Sequence, residues 1–377
     1  AKELLRYGLY VYYYPVDIYT NSEITDATVV NALYNDFANA LEIISDKNIY
    51  NVKFLTSGGY PMLESAINTS INTTQYSLPQ AMLYWAAFRG DSVALIDYTY
   101  QSYTSALKIW EKVADVFDGD DEASTTFKIV TGKVLVSEGN YLDHTEDIRN
   151  YGALITCNMT QRLYASYGSI KPVDISPQIM PGSFEYLACF SQSVQNNPNY
   201  YAIAGVTRGS VRGVEQPTLI ISGNEANLVQ PEKQQTLTID STAVKSGIAI
   251  NPIINITQYG YCIWGNRTLH VNETELVASS FLNTRLMTCD VKKIVRDAAL
   301  SLNFELISDI LWINFKSLIE PELDKMISNN GLEKYKLTRI STTERGTVKA
   351  RITLWCVYAA EKWDIEVELT DSYVSVE

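Results

Sequence analysis

The chain has 377 residues, 46% of them hydrophobic, which allows two or three domains with sizeable cores. Its formal net charge of −13, without any run of lysine or arginine, argues against a nucleic-acid-binding face, which would be basic. No apolar run approaches the roughly 20 residues of a membrane-spanning helix, so we expect no membrane insertion. The five cysteines are dispersed without a CxxC motif, which indicates reduced, buried thiols in place of a disulfide framework.

The first hundred residues predict an alternation of strands and helices. Residues 9–14 are a β-rich run, and apolar residues over 30–44 recur at the spacing of an amphipathic helix. Residues 50–56 and 92–96 predict strands on either side of a helix over 80–88. This βαβαβ order predicts a mostly parallel sheet with right-handed crossovers.

The middle of the chain is less regular. Residues 118–122 form an acidic run typical of a solvated loop, whereas residues 153–157 predict another buried strand. Short strands and turns rich in glycine, proline and asparagine follow as far as residue 263.

The last hundred residues predict a compact α+β unit. One apolar helical stripe runs over 291–302, and a second helix over 309–330 ends at Asn329-Asn330-Gly331, with a kink expected at Pro321. The residues of the second stripe that we expect to face the core are Leu311, Phe315, Leu318, Ile319 and Leu323. Three strands then follow as a β-meander, at 335–340, 348–357 and 363–369.

Catalytic motifs are mostly missing from the sequence. The 2 histidines, His144 and His270, lack metal-ligand spacing, and no glycine-rich phosphate loop with a lysine follows a strand. We therefore expect no catalytic residue, no metal and no cofactor. One alternative is an α/β enzyme with a ligand site near Gly58 and Asp97, at the carboxyl edge of the sheet. Another is a cell-surface adhesin, suggested by the six Asn-x-Ser/Thr sequons and by Arg89-Gly90-Asp91.

Four short motifs occur in order along the chain. They are an Arg-Gly-Asp before an apolar strand at 87–97 (AFRGDSVALID), an aromatic-x-x-Ala-Gly-x-x-Arg-Gly stretch at 198–209 (PNYYAIAGVTRG), an INPI and WGNRTL pair at 250–253 and 264–269, and FLNTRL at 281–286. Together they resemble the phage tail-sheath family, to which the sheaths of R-type pyocins and type VI secretion systems also belong.

The resemblance implies a structural polymer subunit and no enzymatic activity. Sheath subunits stack as rings around a tail tube in an extended, high-energy state, and a baseplate trigger rotates them into a contracted state that drives the tube through the cell envelope. The implied partners are neighbouring sheath subunits, the tail tube protein, and baseplate and tail terminator proteins, with no direct nucleic acid. The implied location is the virion tail, after synthesis and assembly in the host bacterial cytoplasm.

The same resemblance implies a domain organisation. It predicts a mostly parallel α/β sheath domain made of residues 1–100 and 181–263, interrupted by a variable insertion over residues 101–180. A C-terminal α+β domain over residues 264–377 would form the inner wall and take part in strand exchange.

Three groups of residues are the candidate functional residues. The structural motif residues are Gly205, Arg208, Gly209, Trp264, Gly265 and Arg267. The two arginines lie beside turns, where a guanidinium can bind several backbone carbonyls, either as a brace within the subunit or as a subunit contact. The expected inter-subunit edge strand carries Trp363, Ile365, Val367 and Leu369. The expected tail-tube contact, on the polar face of the second helix, consists of Lys316, Glu320, Glu322, Asp324 and Lys325.

Overall fold

The computed structural model describes residue 40 and a set of ranges that together hold the sheet core and most of the C-terminal region. These ranges are 43–56, 78–98, 148–156, 158–161, 178–212, 214–217, 230–233, 236–240, 250–270 and 277–366. The predictions for residues 9–14, 118–122, His144, Gly58, Val367 and Leu369 lie outside them. Residues 40, 43 and 44 are helical, in agreement with the end of the helix predicted over 30–44.

The described part of the chain alternates strands and helices before residue 212 and ends in two long helices and a hairpin. The strands are β1 Phe54–Thr56, β2 Val93–Tyr98, β3 Gly152–Thr156, β4 Asn158–Gln161, β5 Gln178–Pro181, β6 Val214–Pro217, β7 Gln230–Lys233, β8 Thr236–Asp240, β9 Ile250–Asn251, β10 Ile253–Ile256, β11 Gly260–Ile263, β12 Leu332–Ile340, β13 Lys349–Cys356 and β14 Lys362–Glu366. The helices are α1 Leu78–Arg89, α2 Gly182–Ser193, α3 Gly205–Arg208, α4 Leu282–Ser301 and α5 Asp309–Ser328, with short 3₁₀ turns at Ile148–Tyr151 and Ala278–Ser280.

A parallel sheet is the centre of the fold. Its order is β1-β2-β3-β9, and all three pairings between neighbours are parallel. The side chains of residues 93–96 in β2 and 153–155 in β3 are almost completely buried, because a parallel sheet is covered on both faces. The predicted parallel sheet is therefore confirmed for these strands, and α1 covers it with Leu83 and Ala86 at 0% exposure.

The predicted β-meander at the C-terminus is wrong in its third strand. β12 and β13 form the expected antiparallel hairpin, with Gly346 at a φ of +79° in the turn. β14, however, pairs in antiparallel fashion with β8, in a separate sheet of order β14-β8-β7. The alternating pattern identified a strand, but it contains no information about a partner more than a hundred residues earlier in the chain.

The two long helices carry the second core. Ile319 and Leu323 of α5 are fully buried against Met287 and Val291 of α4, and Leu332 of the hairpin joins them. The predicted end of α5 is confirmed, since Asn329 caps it, Asn330 adopts a φ of +54° and the Gly331 N–H donates to Met326 O.

Two details of α5 differ from the sequence prediction. The helix runs through Pro321 without being split in two, although proline removes one backbone hydrogen bond. Leu318 is 46% exposed and so does not face the core, because it lies a quarter-turn or more from Ile319 and Leu323 on the helix surface.

The two cores share residues across the expected domain boundary at residue 264. Leu282 and Leu286 of α4 pack into the core of the parallel sheet, while Tyr200 packs into the C-terminal core. Three described cysteines are buried and Cys356 is half-buried, and all four are free thiols, as predicted.

Candidate functional site

The Arg-Gly-Asp motif pairs with itself inside the protein. Arg89 is 2% exposed, and its guanidinium donates to both Asp91 carboxylate oxygens at 3.0 and 3.2 Å. It also donates to the carbonyl oxygens of Ile44 and Tyr50, so that it ties α1 to the segment before β1. Neither charged side chain of the tripeptide is exposed to a partner, which removes the Arg-Gly-Asp motif as support for the adhesin alternative.

The second motif places two glycines under different constraints. Gly205 has a φ of +77°, and a Cβ atom there would meet nothing within 4 Å. Gly209 has an ordinary φ of −97°, but a Cβ would lie 2.8 Å from Ile263 O and 2.9 Å from the Cα of Ala204. The backbone of Gly209 therefore lies directly against the strand that leads into the third motif, and Ile263 N donates to Gly209 O at 2.8 Å.

Arg208 is held within the same turn. Its Nε donates to Ala202 O at 2.8 Å, and its guanidinium lies 5.4 Å from the centre of the Tyr201 ring. Among the residues that the structure describes, one backbone carbonyl is thus its hydrogen-bond partner. A cavity of about 170 Å³ lies beside Arg208, and Tyr200, Asn283, Gly331 and Tyr358 are among the residues that line it.

The third motif is joined to the parallel sheet by an asparagine. The Asn251 side chain donates to Leu154 O at 3.1 Å and to Arg267 O at 2.9 Å, and it accepts from Arg267 N at 2.7 Å. Trp264 N donates to Pro252 O, and Trp264 packs half-buried against the sheet core. The sequence does not predict this role for Asn251, since an asparagine beside a proline is usually a turn residue.

Two hydrogen bonds between asparagines join the fourth motif to the third. Asn266 Nδ2 donates to Asn283 Oδ1 at 2.7 Å, and Asn283 N donates to Asn266 Oδ1 at 3.1 Å. Arg267 and Phe281 also form an isolated antiparallel bridge. The first turn of α4 is therefore fixed directly to the WGNRTL segment.

Arg267 has a carboxylate partner where turn carbonyls were expected. Its Nη2 donates to Glu361, 94 residues later, just before β14, and its side chain is 1% exposed. The guanidinium lies 4.4 Å from the centre of the Phe281 ring. Burial raises the pKa of Glu361 to about 7, and the charge of Arg267 works against that rise. Nothing in the local sequence around Glu361 signals this contact.

Asp97 does not line an open cleft. It is 1% exposed, and it accepts hydrogen bonds from Ser183 N at 2.7 Å and Ser183 Oγ at 2.6 Å, at the first turn of α2. Burial raises the pKa of Asp97 to about 6, and the bonds from Ser183 oppose that rise. Asp97 is also absent from the lining of the cavity beside Arg208.

Glu185, which the sequence did not single out, is a buried carboxyl group on α2. It is 2% exposed, its Oε1 has no hydrogen-bond partner within the described ranges, and burial raises its pKa to about 7. Across the residues that the structure describes, no group of three His, Cys, Asp or Glu side chains could hold a metal ion. No helix within those residues is long and apolar enough to cross a membrane.

The expected tube-contact residues lie on one helix but differ in exposure. Lys316 and Glu320 are half-buried, whereas Glu322 and Lys325 are exposed and lie 4.0 Å apart. Asp324 accepts a hydrogen bond from the hydroxyl of Tyr335 in the hairpin at 2.8 Å. The outer surface of the helix also carries the exposed apolar side chains Ile310, Ile313 and Leu318, so it is mixed in character, where a purely charged face was expected.

The expected inter-subunit strand is described as far as Glu366. Residues 362–366, which include Trp363 and Ile365, pair with residues 236–240 of the same chain. Whether the strand also pairs with a neighbouring copy stays a prediction.

No model of a known protein family matches the sequence, and no curated protein matches it either. Three solved structures illustrate what the chain is similar to. The anti-feeding prophage (AFP) baseplate matches at 14% identity over 92% of this chain and 66% of that chain, with a TM-score of 0.48. The sheath complex of an extracellular contractile injection system, PVC, in its contracted state matches at 15% identity over 76% and 65%, with a TM-score of 0.46. The contracted AFP helical sheath matches at 13% identity over 85% and 93%, with a TM-score of 0.43. The chain thus spans just under two thirds of the first two and most of the third.

Proposed function

We propose that the chain is the structural subunit of a contractile tail sheath. In this proposal it polymerises as stacked rings around a tail tube, and contraction drives the tube through the envelope of a host cell. The observation that carries the proposal is the convergence of the four sequence motifs. They are spread over two hundred residues, yet the second motif bonds to the strand before the third, the third bonds to the sheet that contains the first, and the fourth bonds to the third.

The contacts of the motif residues support rigid-body motion of the subunit. Arg89, Arg208, Arg267 and Asn251 all have partners within the chain, so the motifs brace the subunit from inside. A contracting lattice needs subunits that keep their shape while their contacts with neighbours change. The braced core leaves the outer surface of α5 and the C-terminal strand available for those contacts.

The proposed tube contact is the outer surface of α5. Glu322 and Lys325 offer exposed charges there, and the proposed contact also includes Lys316, Glu320 and Asp324 of the same helix. Exposed ion pairs contribute only about 0–1 kcal/mol each and are screened by salt. A contact repeated over many subunits could therefore hold the sheath on the tube and still let it slide.

The proposed link between subunits is the C-terminal strand. The pairing of β14 with β8 in one chain uses five residues of each strand, and the same pairing could form between β14 of one copy and β8 of the next. The further proposed partners are the baseplate and the tail terminator proteins, and the proposed location is the tail of a phage or a phage-like particle.

The experiment that tests the function is negative-stain electron microscopy of the purified chain. We expect hollow tubes with a regular helical repeat, formed alone or on addition of a tube protein from the same gene neighbourhood. Particles that stay monomeric at high concentration both with and without the tube protein would contradict the proposal. The enzyme alternative has no support, because both carboxylate oxygens of Asp97 accept hydrogen bonds from Ser183.

A further inference from the structure

The segment between β13 and β14 follows a course that is fixed at both ends. Residues 357–361 connect the hairpin to the C-terminal strand. At the start of this linker Val357 N donates to Gly331 O at 3.0 Å, and the ring of Tyr358 lies 5.0 Å from the ring of Phe281. At its end Glu361 forms the ion pair with Arg267. The linker therefore passes over the junction of the third and fourth motifs.

Arg267 meets three parts of the chain at once. Its backbone is bonded to Asn251 and bridged to Phe281, and its guanidinium lies over the Phe281 ring while it donates to Glu361. The side-chain exposures of the two charged partners are 1% and 11%, so water does not screen their attraction as it would at a surface. The position of Glu361 is consequently tied to the most tightly bonded part of the subunit.

The pair leaves two polar atoms unsatisfied. Arg267 Nη1 and Glu361 Oε1 are buried without a hydrogen-bond partner among the residues that the structure describes. A buried ion pair that lacks its remaining hydrogen bonds is a poor source of net stability, because desolvation offsets its attraction. Its effect is instead to favour one position of the linker relative to Arg267, since separating the partners or removing one leaves an uncompensated buried charge.

We propose that Arg267 and Glu361 form a clasp that fixes the direction in which the C-terminal strand leaves the subunit, and with it the register that the strand offers to a second copy of this chain. Both are positioning residues. The part of the inference that concerns the second copy rests on the proposed sheath function, whereas the part that concerns the linker does not.

The first test is hydrogen exchange of the isolated subunit, measured by mass spectrometry on peptides that cover residues 357–366. Glu361→Gln keeps the shape of the side chain but removes its charge, and we expect exchange in these peptides to become at least about tenfold faster. The matched control is Glu344→Gln, which removes the same charge from an exposed ion pair with Lys349 in the hairpin and should change exchange by less than about twofold.

Peptides from β2 report whether the whole subunit is affected. We expect Glu361→Gln to speed their exchange by much less than it speeds exchange over 357–366. An equal acceleration in β2 would mean that Glu361 supports only global stability and would overturn the clasp, as would unchanged exchange over 357–366. If Glu361→Gln does not fold, Glu361→Asp serves as the second variant, because it keeps the charge but draws it back by one methylene.

The second test is the helical repeat of assembled tubes. We expect Glu361→Gln to lose tubes or to form tubes with a different repeat, while Glu344→Gln assembles as the wild type does. Glu361→Gln tubes with the wild-type repeat would overturn the role in register and leave the sheath function intact. If the wild-type protein forms no tubes, the sheath function fails, and the exchange measurement still decides whether the clasp orders the linker.

Discussion

At the scale of single residues, the motifs act through backbone space and buried bonds more than through exposed chemistry. Gly205 and Gly209 illustrate this, since four residues apart in one motif they are required for different reasons. Gly205 is needed for its positive φ, and Gly209 is needed because another stretch of backbone lies where a side chain would begin. A sequence shows both simply as glycine.

The two glycines should respond differently to the same substitutions. Gly205→Ala should cost about 1–2 kcal/mol because of its left-handed backbone, and Gly205→Asn less, because asparagine tolerates that region. Gly209→Ala should cost about 1–3 kcal/mol through overlap, and the larger Gly209→Asn should cost at least as much. Chemical denaturation of the four variants measures the contrast. The structure would be contradicted if asparagine were less destabilising than alanine by the same amount at both positions.

Glu185 should make stability depend on pH. Its pKa rises from 4.5 to about 7 on folding, so the folded protein keeps a proton that the unfolded chain has already released in that window. The free energy of unfolding should therefore fall as pH rises from about 4.5 to about 7. Glu185→Gln should be more stable than wild type at pH 8 by up to about 3 kcal/mol, and nearly equal to it below pH 4.5.

Urea denaturation at a series of pH values tests this expectation. Glu322→Gln is the control, since Glu322 is exposed and the same substitution there should leave the pH profile unchanged. A Glu185→Gln profile that runs parallel to the wild-type profile would show that Glu185 is not the titrating group.

At the scale of secondary-structure elements, α5 shows where a helical stripe helps and where it misleads. The recurrence of Leu311, Phe315, Ile319 and Leu323 correctly identified the buried side, and Ile319 and Leu323 are fully buried. Leu318 was added to that side because it is apolar and adjacent, yet it is 46% exposed. An apolar side chain alone does not show whether a helix residue faces the core or the solvent.

Two leucines on α5 allow a direct check of this assignment. Leu323→Ala should cost about 2–5 kcal/mol, because it opens a cavity in the C-terminal core. Leu318→Ala should cost less than about 1 kcal/mol, because the side chain is already half in water. Thermal or chemical unfolding of both variants measures the difference. A comparable loss for the two would place Leu318 in the core after all.

Charge reversal on α5 tests its role as the proposed tube contact. Lys316→Glu and Lys325→Glu together should weaken co-assembly with the tube protein, more strongly at low salt, because the contact is ionic. Lys349→Glu, in the hairpin, is a control for the charge reversal that each single variant makes. The melting temperature of each single variant shows whether folding is affected, which matters for the half-buried Lys316. Co-assembly that is unchanged at every ionic strength would move the tube contact elsewhere.

The elements that could be predicted are those whose signal is local. The strands at 93–98 and 152–156 contain the apolar runs 93–96 and 153–155, and the end of α5 has a glycine and two asparagines at the positions that helix termination favours. What could not be predicted depends on distant partners. The pairing of β14 with β8, the bond from Arg267 to Glu361 and the covering of Asp97 by Ser183 each join residues that are far apart in the chain.

At the scale of the whole molecule, the hydrogen-bonded junction of the four motifs has one proposed role and the C-terminal strand has another. The junction braces the subunit, and the strand is the element proposed to reach the next one. Deleting residues 362–377 should therefore leave a soluble, folded subunit that no longer polymerises. Circular dichroism shows the fold and electron microscopy shows the tubes. Normal tubes from the truncated chain would exclude this strand as the linker.

The closed pairing of β14 with β8 in a single chain has a consequence for when polymerisation begins. Exchange with a second copy replaces five residue pairs by the same five, so the bonds themselves favour neither partner. A short flexible tether gives an effective concentration of about millimolar, and the chain's own β14, whose linker is fixed at both ends, competes at that level or above. Free copies at micromolar levels would therefore remain self-paired, and growth at those levels would be confined to a template that holds two copies side by side. In a cell, this would suppress spontaneous polymerisation, so that polymerisation would begin only where such a template is present.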